Sequence, residues 1–292
     1  MMHQPTRVAA RLLAVPLLVL AACAPAPGPG AAAPLVGEAA APDDVRDLLA
    51  RFADFPVDRT PRPIVLFHGT VKESGYTSDD AKIAMSQGRL ELRTTLPGSP
   101  ATVRVALPDG TVELPAISAR QAYDRLVAVG DPAGAPGASP PPLQVTKVAL
   151  GEAEFGTDRG PMTLPAWLFT APESLQPLAV AALADDAFWP VEPTGELLTA
   201  TGLAADGMTL TVRLPAPDVP CPGQPVTEYA AEAVESATAV AVRLRIVATS
   251  PAATPGGGVD CARDAMMRFA QYPVRLARPL GNRLLLSASG GF

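Results

Sequence analysis

Glu152 and Glu154 sit two positions apart and Asp158 follows four positions later. On a strand the two glutamates share a face, with about 7 Å between them. Carboxylates at that separation suit acid/base work on a glycosidic bond, where an inverting mechanism leaves room for a water. The same spacing suits two solvated glutamates on an exposed strand, which is the commoner case. Trp167 and Trp189 offer flat faces for a sugar, or simply core packing. Ser78 and Lys82 are four apart, not the three of a Ser-x-x-Lys arrangement, and Ser78 stands where a helix is expected to begin. Asp79-Asp80 suits a helix N-terminus and Asp185-Asp186 a solvated turn. His68 is the only histidine after His3, too few for a zinc site, and no EF-hand-like loop is present. No metal and no cofactor is expected.

The run Pro63 to Thr70 (PIVLFHGT) resembles the oxyanion-hole strand of α/β-hydrolases. That resemblance implies a nucleophile elbow and a separate base histidine. The chain contains no G-x-S-x-G, and one histidine cannot fill both positions. His68 is therefore read as a strand-end histidine near the surface, and no catalytic residue is assigned.

The N-terminus carries a different kind of chemistry. Arg7 and Arg11 precede an apolar run from Leu12 to Ala22, too short to span a bilayer as a helix. The run ends in Leu20-Ala21-Ala22-Cys23, which resembles the lipobox of bacterial lipoproteins. The resemblance implies a signal peptide over 1–22 and a thioether-linked diacylglycerol on Cys23. The alternative is an ordinary secretory signal with an incidental cysteine. Residues 24–42 are almost entirely Ala, Pro and Gly, so with Cys23 the segment 23–42 reads as a lipidated tether with a reach on the order of 50 Å. The expected address is the outer face of a bacterial cytoplasmic membrane, held by lipid. No later segment is apolar for long enough to span.

Composition limits the partners. Removing Arg7 and Arg11 takes the formal charge from −6 to about −8. An acidic chain with scattered arginines and only Lys72, Lys82 and Lys147 offers no stripe for tracking phosphates, so nucleic acid is not an expected partner. Hydrophobic residues make up 48% of the chain, enough for a real core. After Cys23 only Cys221 and Cys261 remain, an even pair in an oxidising compartment. Without CxxC or a neighbouring histidine, a structural disulfide is expected over a metal pair or redox dithiol. Closing so long a loop would contribute about 4 kcal/mol in the chain-entropy model.

The elements that must position these residues fall into two regions. Over 43–130 the pattern predicts α+β: a helix from Asp43 to Phe55 capped by Asp43 or Asp44, and a short buried strand over Ile64 to Phe67. A second helix from Thr77 to Gln87 follows, with Thr77 and Asp80 as a capping box. The hairpin around Pro108-Asp109-Gly110 and a helix opened by Ser118 complete the region. Residues 131–142, rich in Pro, Gly and Ala, read as a linker. Over 143–292 the chain reads as mainly β, a sandwich or partly open barrel. Met208, Leu210, Val212 and Leu214 alternate after an Asp206-Gly207 turn. Val240, Val242, Leu244 and Ile246 do likewise, with Arg243 and Arg245 facing water, and Leu284 to Ser287 is a terminal strand. Val226 to Glu235 fits a helical stripe as well as a strand; a hairpin with the following alternation favours the strand.

Thr157-Asp158-Arg159-Gly160, Leu164-Pro165-Ala166-Trp167-Leu168-Phe169 and Pro279-Leu280-Gly281-Asn282-Arg283 resemble blocks in a group of actinobacterial lipoproteins to which no activity is attached. The resemblance implies an address and no mechanism. The expectation is a membrane-anchored, non-catalytic binding or scaffold module of the cell envelope, with an envelope protein or carbohydrate as partner. The alternative is an envelope polysaccharide hydrolase using Glu152, Glu154 and Asp158.

Overall fold

The computed structural model describes residues 42–108, 110–131, 140–190, 197–217, 220–221, 224–251 and 266–288. Elements follow in chain order: α1 (Asp43–Arg51), β1 (Val71–Lys72), α2 (Asp79–Ser86), β2 (Leu90–Leu92), β3 (Thr102–Leu107), β4 (Gly110–Pro115), α3 (Ala119–Ala128) and β5 (Leu143–Val145). The remainder is β6 (Lys147–Thr157), β7 (Gly160–Thr170), β8 (Leu178–Ala181), β9 (Ala200–Leu203), β10 (Thr209–Pro215), β11 (Val226–Glu235), β12 (Ala239–Ser250), β13 (Phe269–Arg275) and β14 (Leu284–Ser287). A mixed α+β region thus precedes a larger, mainly β one. Among the described residues its strands form several sheets, none closed into a true barrel.

Alternation decides what each strand buries. In the sheet β1-β8-β7-β6, Trp167, Phe169, Leu178 and Val180 face α2 and α3, joining Met85, Ala122 and Leu126. Leu164, Ala166, Ala179 and Ala181 point the other way, onto Val103 and Val105 of the β3–β4 hairpin. Both faces are covered, which is why β8 is buried along its whole length. Strand β12 repeats the device. Ala239 and Ala241 pack with Leu48, Leu49 and Phe52 of the α1 segment, while Val240 and Val242 pack with Leu210, Val212 and Leu214 of β10. A one-residue slip would exchange these two cores, so register is strongly specified.

Local chemistry explains several ends and corrects some expected ones. Ser118 caps α3 in a full capping box with Gln121, as its spacing predicts. Ser78, not Thr77, caps α2: its hydroxyl accepts from Ala81 N at 3.2 Å. Neither Asp43 nor Asp44 caps α1; both lie inside its first turn, where they complement the helix dipole. The expected strand over Ile64 to Phe67 is not a ladder. Ile64 bridges Phe188 and Leu66 bridges Thr157, so successive residues address different partners.

Val226 to Glu235 is a strand, antiparallel to β12, with a register shift between Glu228 and Tyr229. The alternation beyond it is core-facing only in its first half. Val240 and Val242 are fully buried, Leu244 is half-buried and Ile246 is 59% exposed. Arg243 does not simply face water; with Arg245 it shares the carboxylate of Glu232. Strand β14 pairs β12 only from Ala239 to Val242, and the buried length of β12 ends with that pairing. Residues 132–139 of the expected linker lie outside the described residues. On either side of them, Leu90–Leu92 pairs in parallel with Leu143–Val145.

The expected pairing of Cys221 with Cys261 is corrected to a bond at Cys221 whose partner lies outside the described residues. No pair of cysteines lies at bonding distance among the described residues, because Cys23 and Cys261 both fall outside them. Cys221 is described, and its sulfur is disulfide-bonded rather than a titrating thiol. The expected Cys221–Cys261 bridge is not among the pairings of the described chain.

Candidate functional site: an arginine-clamped cavity

The site begins at a hairpin turn. Thr157 opposes Gly160 at the tip of β6–β7, leaving Asp158 and Arg159 as the two turn residues. Gly160 sits at φ +97°, which a side chain would resist. The Thr157 hydroxyl donates to Gly160 O at 2.7 Å and accepts from Arg159 N at 3.1 Å, which fixes the turn from inside. Asp158 N then donates to Val65 O at 3.1 Å, pinning the turn to the 62–66 segment.

That anchoring turns the Asp158 carboxylate inward, where its side chain is only 2% exposed. Arg62 meets it two-pronged: Nη2 donates to Oδ2 at 2.5 Å and Nη1 to Oδ1 at 3.3 Å. The rest of the Arg62 fork is spent on backbone, Nε on Asn282 O at 2.9 Å and Nη1 also on Pro63 O at 3.3 Å. Its guanidinium lies 4.7 Å from the Phe55 ring centroid, and Phe55 in turn meets Trp189 edge-on at 5.6 Å. Arg159 stands on the other side of Asp158, with Nε 3.7 Å from Oδ2. Its Nη2 donates to Gly281 O at 2.8 Å and Arg283 O at 3.2 Å.

The loop 277–283 is thus held from one side by Arg62 and Arg159, and from the other by its own Arg283. That guanidinium, 7% exposed, donates to the carbonyls of Arg278, Pro279 and Leu280 and pairs with Glu235 at 2.7 Å. Burial pushes the Glu235 carboxyl up. The Arg283 hydrogen bond, the Ala277 amide at 2.5 Å and the charges of Arg283 and Arg278 outweigh it and hold the group below its ordinary range.

Between these pieces lies a cavity of about 150 Å³. Arg62, Asp158, Arg159 and Asn282 form its polar wall; Ile64, Leu107, Pro108 and Met162 form its apolar one. The Thr157–Gly160 and Pro279–Arg283 blocks, 122 positions apart at Arg159 and Gly281, meet here by direct hydrogen bonds. Sequence reasoning marked both blocks, but gave a role only to Asp158, as a carboxylate of the alternative hydrolase. It missed Arg62 altogether; an arginine between two prolines carries no signal that it will fold onto a hairpin turn.

The other candidates lie elsewhere. Glu152 and Glu154 are exposed on the outer face of β6, an edge strand, and neither lines the cavity. Asp158 lines it, with both oxygens taken by Arg62. The three carboxylates are therefore not brought together as an acid/base set. Trp167 is fully buried, its Nε1 donating to Ile117 O at 2.9 Å, and Trp189 is packed against Phe55, so neither is an open platform. His68 is exposed beside Phe67. Ser78 and Lys82 line a shallow depression with Glu73 and Tyr76, where the Ser78 hydroxyl is occupied as a cap. There the Tyr76 hydroxyl donates to Glu73 at 2.6 Å. Burial, then that bond and the Glu73 charge, push its ionisation far above the ordinary tyrosine range. Among the described residues no cluster of His, Cys, Asp and Glu could hold a metal, and no helix is long and apolar enough to cross a membrane.

Comparison with protein-family models, curated proteins and solved structures finds no match for this chain.

Proposed function

We propose that this protein is a lipid-tethered recognition module of the bacterial cell envelope, anchored through Cys23 and non-catalytic. The address rests on Leu20-Ala21-Ala22-Cys23 and on the Ala/Pro/Gly-rich segment behind it. The recognition role rests chiefly on one observation. The cavity is walled by side chains already locked by one another, with Asp158 held two-pronged by Arg62. A general base needs a free lone pair within reach of a proton; a binding surface needs rigid, preset donors, and this wall is built that way. The runner-up, an envelope polysaccharide hydrolase, has its carboxylates divided between an exposed strand face and a buried ion pair, and nothing favours it further. The partner is read as an envelope protein or carbohydrate.

The last two three-stranded sheets support a sandwich reading of the C-terminal region. Sheets β13-β10-β9 and β11-β12-β14 share one buried cluster of Leu210, Val212, Val240, Val242 and Leu285.

Fractionation of a producing bacterium tests the address and role together. The wild type is expected in the membrane pellet and open to externally added protease once the wall is removed. Cys23→Ala should abolish fatty-acid labelling. Release of sugars from purified wall by the full-length protein, abolished in Glu152→Gln, would overturn the non-catalytic reading.

A further inference from the structure

We infer that one end of the two C-terminal sheets docks onto the lipid bilayer through a patch of Val226, Ile246, Val247, Met266, Met267 and Phe269, each at least 45% exposed. The inference rests on the tether reading above and adds a second membrane contact to it.

Register places the six together. Val226 begins β11 opposite Ser250, and Ile246 and Val247 stand near the same end of β12. The ladder slips between Glu228 and Tyr229, which leaves Val247 as the extra residue of a bulge, a device that disrupts regular pairing. Phe269 begins β13, directly after Met266, Met267 and Arg268. Strands β11 and β13 lie side by side and run the same way. Near one end the Glu235 carboxylate accepts from the Ala277 amide. Near the other, burial and then the neighbouring Tyr229 raise the ionisation of the Tyr272 hydroxyl. Val226 and Phe269 each stand three positions before those tyrosines, so they share an end. Among the described residues ten large hydrophobic side chains are exposed, and six of them gather here. Single exposed hydrophobics are ordinary, whereas a cluster marks a surface that is covered in use.

The N-terminal segment says by what. The Ala/Pro/Gly-rich stretch behind Cys23 has a reach on the order of 50 Å. Helix α1, which follows it, packs on Ala239 and Ala241. The patch lies towards the far end of β12, about 30 Å further on at about 3.3 Å per residue. That is inside the reach, so the anchor presents the bilayer to the patch at an effective concentration near the millimolar range. A modest apolar surface then suffices. The chemistry also suits a boundary between lipid and water. Arg213 stacks over Phe269 with its guanidinium 4.6 Å from the ring centroid, so the charge can stay at headgroup level while stem and ring sit lower. The described charges around it are of both signs, Arg213, Arg268 and Glu228, with Arg245 paired to Glu232. Apolar area, not attraction to anionic lipid, therefore carries the docking.

Tryptophan quenching tests this. The protein purified from bacterial membranes is reconstituted in phosphatidylcholine vesicles with and without brominated acyl chains. It carries Met267→Trp or, as a control, Leu175→Trp, an exposed site beside Gly75 and away from the patch. After subtraction of wild-type emission, the Met267→Trp signal should be quenched by brominated lipid at high salt as at low, and the Leu175→Trp signal should not. Adding Phe269→Asp or Ile246→Asp to Met267→Trp should weaken docking by roughly tenfold or more. An unquenched Met267→Trp, quenching no greater than that of Leu175→Trp, or quenching abolished by high salt overturns the inference. So does a blue-shifted emission that brominated lipid leaves untouched, which identifies a protein partner or a second copy on the patch. Vesicle sedimentation reads the anchor separately. Protein that sediments with Met267→Trp unquenched refutes the docking and leaves the tether standing; protein that does not sediment refutes both.

Discussion

Replacing Asp158 by Asn keeps shape and removes charge at the most buried ion pair of the described chain. Its side chain is 2% exposed and that of Arg62 is 10%, with Arg159 a further 3.7 Å contact. Breaking such a pair from one side leaves the partner's charge buried without compensation, typically about 3–5 kcal/mol. Arg62 keeps its bonds to Asn282 O and Pro63 O, and Asn can still accept one hydrogen bond, so the low end, about 3 kcal/mol, is expected. For a chain of this size that lowers Tm by roughly 6–12 °C. The assay is thermal and urea unfolding of full-length protein in detergent, with Arg104→Ala as control. Arg104 pairs with Glu113 at 76% and 53% exposure, where such pairs are worth under about 1 kcal/mol. The double replacement Arg62→Met with Asp158→Leu should recover part of the loss, since no orphaned partner of that pair remains. If Asp158→Asn lowers Tm no more than Arg104→Ala does, the clamp does not hold the turn and the reasoning fails.

The Glu235 carboxyl is held below its ordinary value of 4.5, so its contribution is present above that pH and is lost as pH falls through the lower folded value. Glu235→Gln should flatten the acid side of the stability–pH profile, and an unchanged slope below about pH 4.5 would contradict this. At Gly130 an added Cβ would stand 1.9 Å from Gly88 N and 2.4 Å from Gln87 C, backbone that cannot step aside. Gly130→Ala should cost about 3 kcal/mol or more by urea unfolding, and a cost under about 1 kcal/mol would refute the close approach. Met266 and Met267 are 70% and 74% exposed whereas Met85 is 1% exposed, so mild peroxide should oxidise the first two well before Met85, as read by peptide mass. Trp167→Phe leaves Ile117 O without its indole donor and opens space in the core, for an expected loss of about 2–3 kcal/mol.

Much of the architecture could be read from periodicity, because burial on a strand leaves a period of two. The alternation Met208, Leu210, Val212, Leu214 and the terminal run Leu284–Ser287 both became strands at the expected places. The helix beginning at Ser118 was legible because its cap is chemical, a hydroxyl and a glutamine three positions apart. Ile246 was misread as core because alternation reports a face, not whether anything covers it. Strand β14, the neighbour of β12 on one side, pairs with it only as far as Val242 opposite Ser287, and burial on β12 stops there. The cavity was illegible for a different reason. Arg62, Asp158 and Gly281 are distant in sequence, and a two-residue turn that buries its acid looks, in sequence, like any polar turn. Only the long-range contacts Arg62–Asp158 and Arg159–Gly281 reveal that the acid is buried.

The proposed tether is the central claim, and the mature N-terminus tests it most directly. Mass spectrometry of the protein purified from bacterial membranes should find a first peptide beginning at Cys23 and carrying diacylglycerol on its sulfur. A first peptide that begins at Met1, or one that contains Cys23 with an unmodified sulfur, would contradict it.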